Sequence, residues 1–531
     1  MPLAIKKILT IIVLILLISS FSGCILEDII GGTSFSLLGY EINDDNGFPK
    51  ISINFSCSGT VTIKIFGPNN ELIDSDLFFK GDQNTDLYLG DYRKTISATA
   101  YKMKVYDNSD NEIYSYSLSF IGSDLEILSC LQKWWNKNSL FGRDSLFEIR
   151  LFVYNNGDVP VYPYNMQVIM DYEPFTELVL PCVIKPKESD YVKCFIYKEA
   201  APDNQSFTIN LKDIDENVLA SKILTVNTNN KVQTKQFSWN YFGPRKVTIP
   251  IPEYLYEYHS GLDRINDDDY SHYVFNPYDD DYIDIILDSI MTEFSGTIVQ
   301  NINYITSFVQ TIEYKSDSEE NNSFEYPRYP IETLYDGQGD CEDKAILTAS
   351  FLYSLGYDVA LLRLPNHMAV GVKLGEEEIP NYDYYIEDYY FLETTTKGNT
   401  CGNVPNEYKQ YNETATIYTI TSRPLLLHEW NDGTITIYTN TEIGDFVKLI
   451  TIVENLGITT AKNILVEGAF VTLSGDKTNY ESKIISELEP NEKKKISLSI
   501  DIPKGTITHF KTRIYLDNKI VDEQESVSTF P

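Results

Sequence analysis

Basic residues are under-represented in this chain of 531 residues: 43 Lys and Arg stand against 77 Asp and Glu, a formal net charge of −34. A surface that negative repels phosphate backbones, which excludes nucleic acid as an expected partner. Tryptophan is scarce as well, at 4 residues against 39 tyrosines. Tyrosine-rich, β-branched-rich segments favour strands, so a β-dominated molecule is expected. Histidine occurs only 5 times, so any imidazole in a distinctive context stands out. After the first two dozen residues no stretch is apolar for long enough to span a bilayer. The hydrophobic fraction of 43% is ordinary, and the length predicts three to four domains, each with its own core.

The N-terminus does carry an apolar run. Lys6 and Lys7 precede Ile8 to Ser19, and Phe21-Ser22-Gly23-Cys24 follows. The run is shorter than the roughly 18–20 residues a membrane span needs, which reads as a signal segment. Small residues before a cysteine resemble the lipobox of prokaryotic lipoproteins. That resemblance implies a signal peptide over 1–24, lipidation of Cys24, and a lipid anchor that tethers the protein to a membrane. At about 0.8 kcal/mol per buried methylene, two acyl chains hold a soluble body stably. An extracytoplasmic, membrane-anchored protein at the cell surface is therefore expected.

Outside the cytoplasm disulfides are permitted. Six cysteines remain beyond Cys24: Cys57, Cys130, Cys182, Cys194, Cys341 and Cys401. Cys182 and Cys194 bracket a hairpin-like stretch and could bridge, although pairing is not readable from spacing. Four sequons, at Asn54, Asn204, Asn321 and Asn412, are compatible with glycosylation of an exported chain.

Residues 25–34 read as a tether. From 35 to 120, short alternating runs such as ISINFSCSGTVTIKIFG between Gly, Asn, Asp and Pro turns predict a β-sandwich. Units over 125–228 and 432–528 share an order of features: strand, Asn-x-Gly turn, strand, Pro-containing turn, strand. That order resembles the CARDB-like and related immunoglobulin-like modules of prokaryotic surface proteins. Between them the character changes. Residues 280–312 carry apolar positions three and four apart, which predicts one or two helices. Another helix is expected from Asp340, as its cap, to about Leu355, stopped by Gly356. Strands should follow at Asp358–Leu364, His367–Leu374 and Tyr389–Thr395.

The stretch with chemistry in it contains Gly339-Asp340-Cys341-Glu342-Asp343, Leu355-Gly356-Tyr357, Asn366-His367-Met368-Ala369-Val370 and Leu392-Glu393-Thr394, with Phe308 to Tyr314 upstream. Here residues 245–420 resemble the transglutaminase-like superfamily, particularly its prokaryotic extracytoplasmic members. The resemblance implies a multidomain chain in which an α+β, papain-like core is flanked by all-β immunoglobulin-like sandwiches. It implies a Cys-His-acid triad too, and the acid here is Glu393 where most members have Asp. Asp383 is the fallback.

The residues support those roles on physical grounds. A thiol at a helix N-terminus sits in positive potential, which lowers its pKa, and a neighbouring imidazole takes its proton. Glu342 and Asp343 would oppose thiolate formation if they pointed at the sulfur, and they are expected to face outward. A carboxylate at Glu393 would fix the tautomer of His367. Gln310 is a candidate oxyanion donor beside the Cys341 backbone N–H. His259, His272, His428 and His509 lack comparable context. The acidic runs Asp267-Asp268-Asp269 and Asp279-Asp280-Asp281 read as solvated loops rather than calcium ligands. No cofactor and no metal is expected. Two functions remain open: a thiol enzyme acting on amide bonds of envelope proteins or peptides, more by hydrolysis than by crosslinking, or an inert surface binding or scaffold lipoprotein.

Overall fold

The computed structural model describes residues 32–138, 143–170, 173–199, 205–262, 264, 269–317, 325–375, 378, 380–382, 384–411, 414–431, 435–441 and 444–530. Cys24 and the whole signal segment lie outside the described residues, as do Asp267, Asp268, Asp383, Asn204, Asn321 and Asn412. Among the described residues no helix is long and apolar enough to cross a membrane.

Strand order follows the alternation of the sequence. Phe48–Cys57 turns Ile51, Ile53 and Phe55 inward at every second position, and all three are fully buried. The hairpin that joins it to Phe35–Asp45 turns on Asn46-Gly47, both at positive φ, the backbone that Asn-Gly tolerates and a tight hairpin requires. A three-stranded and a four-stranded antiparallel sheet share a core in which those residues meet Ile63, Ile65, Met103 and Val105. A second core joins Ile149, Leu151 and Val153 to Val168, Ile209 and Leu211. A third, at the C-terminal end, joins Val447, Leu449 and Val453 to Val466, Phe510 and Ile514.

The Asn-x-Gly turns of these last two units have a common cause. Asn155 is fully buried; its amide donates to Val159 O (2.8 Å) and Ile184 O (3.0 Å), while its oxygen accepts from Gly157 N. Asn455 repeats the arrangement on Thr459 O (2.8 Å), Leu488 O (2.9 Å) and Gly457 N. A buried asparagine with its bonds satisfied closes each turn over its sandwich. The first and last units also touch: Lys495 donates to Asp45 at 2.6 Å, Lys494 to Asp91 at 2.9 Å, and Arg93 to Pro490 O at 3.0 Å.

The expected fold class does not stand. The described chain is 51% strand and 14% helix, arranged in many small antiparallel sheets. The α+β, papain-like core expected over 245–420 is therefore overturned. Helical periodicity was real at 280–312, where it yields Asp280–Met291 and Ile298–Val309. The hydrophobic core of these two helices takes in residues of a hairpin, Gln233–Asn240 with Pro244–Ile251. Other α-helices among the described residues include Glu253–Ser260, Pro330–Asp336 and Cys341–Ser354.

One of these helices positions the site. In Cys341–Ser354 every residue from Glu342 to Leu352 is buried, polar ones included. A helix covered on all sides lies inside its unit. It packs against Ile298–Val309, Pro330–Asp336 and two strands, Val359–Leu364 and His367–Val372. Those strands belong to a five-stranded antiparallel sheet that also contains Tyr389–Leu392, Tyr385–Ile386 and Thr416–Thr419.

Candidate functional site

Cys341 is the first residue of its helix, and the chain before it is shaped to start one. Asp340 is extended at φ −93°, ψ −152°, and its N–H donates to Asp343 Oδ2 at 3.2 Å. Asp340 and Asp343 thereby satisfy N-terminal amide groups that have no helical partner. Gly339 is needed beside them, because a Cβ there would stand 2.7 Å from that of Asp343.

His367 enters through a two-residue turn. Leu364 pairs with His367, and the connecting Pro365-Asn366 turns on Asn366 at φ +57°. Register then brings the acid: Val370 pairs with Leu392, so Glu393 emerges just past its strand and reaches back toward His367. His367 Nε2 and Glu393 Oε2 are 3.0 Å apart, with both side chains buried. Glu393 Oε1 accepts from Thr395 N (2.8 Å), Thr396 N (3.1 Å) and the Thr395 hydroxyl. Burial raises the Glu393 carboxyl, but His367 and these donors outweigh it and hold the group down at about 2. On its face the imidazole stacks against Tyr408, centroids 4.2 Å apart and planes 3° from parallel.

The ionised Glu393 makes a pH-dependent contribution to stability. Its native pKa lies below the ordinary 4.5, so the contribution is complete above about pH 4.5 and lost as pH falls toward 2. The expected gap between the parent chain and Glu393→Gln is about 3 kcal/mol at pH 7. Urea unfolding at pH 7 and pH 3 should show that gap shrinking with acid. A gap that stays constant contradicts the pairing.

Cys341 and His367 line one cleft of about 280 Å³, with Tyr270, Glu325, Glu342 and Arg363 around it. Larger cavities of about 580 and 510 Å³ lie at the junctions with the C-terminal unit, away from Cys341. The Met368 backbone N–H is within hydrogen-bond reach of the Cys341 sulfur and favours its ionised form. It is outweighed. Burial, then Glu342 and Asp340, push the thiol well above its ordinary value. The outward orientation expected of Glu342 and Asp343 is thus overturned. The Cys341 thiol donates to Glu342 Oε2 at 3.1 Å, and Glu342 is 4% exposed. Asp343 is fully buried and bonded to the Arg328 guanidinium at 2.7 Å. Burial drives the Asp340 carboxyl up to about 9, helped by the charge of Glu342. Glu342 and Asp343 turn inward because packing covers the first turn of the helix apart from the cleft.

Gln310 stands on the far side of Glu393. Its amide nitrogen donates to Glu393 O (2.8 Å) and Asn399 O (2.9 Å), and its oxygen accepts from Gly398 N (2.9 Å). Both amide protons are committed, so Gln310 braces the loop that carries the acid and has none left for an oxyanion. The six described cysteines are free thiols, including Cys182 and Cys194, and Cys341 is in no disulfide. The second acidic run is not a solvated loop either: Asp279 is 2% exposed and lies 3.0 Å from His259. Sequence reasoning missed Arg328, Asp317 and Tyr408. Only Tyr326-Pro327-Arg328, a lone basic residue just ahead of three acids, carried a signal for any of them.

No family model matches the chain, and no curated protein matches it. Among solved structures it is similar to red sea bream transglutaminase at 10% identity, over 72% of this chain and 80% of that one, with a TM-score of 0.21. It is similar also to the exo-chitosanase CsxA of Amycolatopsis orientalis at 8% identity, over 90% and 76%, with a TM-score of 0.15. At such scores neither likeness carries an argument.

Proposed function

We propose that the chain is a thiol enzyme of the transglutaminase-like kind, tethered through Cys24 to the outside of a membrane and acting on amide bonds of envelope proteins or peptides. The observation that carries this reading is the 3.0 Å contact of His367 Nε2 with Glu393 on the cleft that Cys341 shares. With Nε2 held by the carboxylate, Nδ1 is the nitrogen left for the thiol proton. In the proposed reaction Cys341 loses that proton to His367 as sulfur attacks the carbonyl carbon. The C–N bond breaks, the amine leaves with the proton, and a thioester remains. Water, deprotonated by the same imidazole, then releases a carboxylate and restores the thiol. Hydrolysis is favoured over transfer to a lysine amine on the strength of the sequence resemblance to prokaryotic members.

A second reading has its own support. Glu342 holds the Cys341 proton, which suits an inert core in a surface binding or scaffold protein. Iodoacetamide labelling at neutral pH separates the two. The enzyme reading expects modification of Cys341 to slow at least about tenfold on His367→Ala. Labelling that ignores His367 supports the inert scaffold. Incubation with envelope proteins, followed by mass spectrometry, then distinguishes cleaved from crosslinked products.

A further inference from the structure

One buried cation in the site helix has no part in the chemistry described so far. Lys344 lies one turn after Cys341 and is 0% exposed. Its Nζ donates to the Ile312 carbonyl at 2.9 Å. An ammonium has three protons to place, and a neutral carbonyl answers one of them without cancelling the charge. Such a cation is costly unless an anion faces it. Asp340, the cap of the same helix, is driven up to about 9 and so carries a proton at neutral pH. Glu393 is held down at about 2, and its charge favours the Lys344 ammonium. Burial and the exposed Lys397, on the loop that carries Glu393, act the other way and bring the ammonium down to about 8. One segment joins the two partners: Ile312 takes the Lys344 proton, and Gln310, two residues earlier, bonds Glu393 O at 2.8 Å.

We propose that Lys344 is a positioning residue whose ammonium, acting through Glu393, keeps the His367 imidazole unprotonated and ready to take the Cys341 proton. The inference rests on the catalytic reading above and deepens it. An ionised carboxylate 3.0 Å from Nε2 favours the imidazolium. Unopposed, Glu393 would hold a proton on His367 and leave no base for the thiol. A second cation facing the same carboxylate works against that protonation. With Lys344 and Glu393 both charged, the group is neutral only while the imidazole is neutral. The ammonium has a cost in the folded state. Its native value lies below the ordinary 10.5, so burial opposes folding in full below about pH 8, and the penalty fades as pH rises toward 10.5. Methionine at this position should therefore fold at least as well at pH 7, which separates an electrostatic role from a packing one.

Two measurements on the full chain test this. The first follows the ε-methylene of Lys344 by NMR in lysine-labelled protein, assigned by its absence from Lys344→Met. Its titration midpoint is expected at about 8 in the parent chain and about one unit lower in Glu393→Gln. The second follows iodoacetamide labelling of Cys341 against pH in the parent and in Lys344→Met. The acid limb should move up by about one pH unit in the variant. The two profiles should meet above about pH 8, where the parent lysine is itself uncharged. Urea unfolding of Lys344→Met should fall at or above the parent midpoint; a clear drop with overlaid profiles would make Lys344 a packing residue. Overlaid profiles, or a lysine midpoint that ignores Glu393, overturn the proposal. Should one variant fail to fold by circular dichroism, the other measurement decides. Labelling that ignores His367→Ala overturns the catalytic reading, whereas a lysine midpoint that ignores Glu393 overturns this inference alone, so the two failures read differently.

Discussion

Replacing Arg328 by methionine is expected to lower the free energy of unfolding by about 3–5 kcal/mol, the largest stability loss from any single side chain around the cleft. Arg328 is 4% exposed and answers several acids at once. Its guanidinium bonds Asp343 Oδ2 at 2.7 Å and Asp317 Oδ1 at 3.2 Å, and approaches Asp336 at 3.5 Å, while its backbone N–H donates to Asp343 Oδ1 at 2.7 Å. Methionine keeps most of the volume and the backbone bond but removes the charge. Asp343, with no exposed surface, would then keep a buried charge or take up a proton. Protonation limits the damage, since burial already drives the Asp343 carboxyl up to about 7. Urea denaturation at pH 7 measures the loss, and the double variant Arg328→Met, Asp343→Asn should recover part of it. A loss under about 1 kcal/mol would mean that protons, rather than the guanidinium, balance these acids.

That cluster marks where sequence reading runs out. Gly339-Asp340-Cys341, Asn366-His367 and Leu392-Glu393 were legible because each role is local: a helix start, a turn, a strand end. The buried Asn155 and Asn455 were legible for the same reason, as Asn-x-Gly turns recurring in two units. What a side chain meets across the fold was not legible. Glu342 looks like an ordinary acidic residue in the first turn of a helix, the place where the dipole favours one. Only the surrounding packing of Ile298–Val309, Pro330–Asp336 and the sheet denies it solvent and turns it onto the sulfur. Gln310 failed likewise: a helix-end glutamine suggested a donor to the cleft, and its partners 83 and 89 residues away were invisible. The fold class misled for a related reason. The α+β core came from the resemblance, whereas helix periodicity at 280–312 was local and much of the chain around it had strand pattern and became strand.

Glu342→Gln should speed alkylation of Cys341 at pH 7 by about a hundredfold. The carboxylate oxygen lies 3.1 Å from the sulfur and accepts its proton, so it stabilises the thiol and repels the thiolate. At an effective dielectric of 20, unit charges that close repel by about 5 kcal/mol, an upper bound. Glu342 is itself driven up to about 7, chiefly by burial, so it is charged only part of the time at neutral pH. Halving the bound leaves about 2.5 kcal/mol, close to two decades in thiolate population. Glutamine has nearly the same shape, and its amide N–H can donate to the sulfur, which favours the ionised form further. The Met368 N–H and the helix N-terminus would then act on the sulfur unopposed. Adding His367→Ala should return the rate toward the parent value if the imidazole takes the proton. A fast rate that survives the loss of His367 would leave Cys341 an ordinary thiol freed from a carboxylate, and a rate that Glu342→Gln does not move would clear Glu342 of holding it.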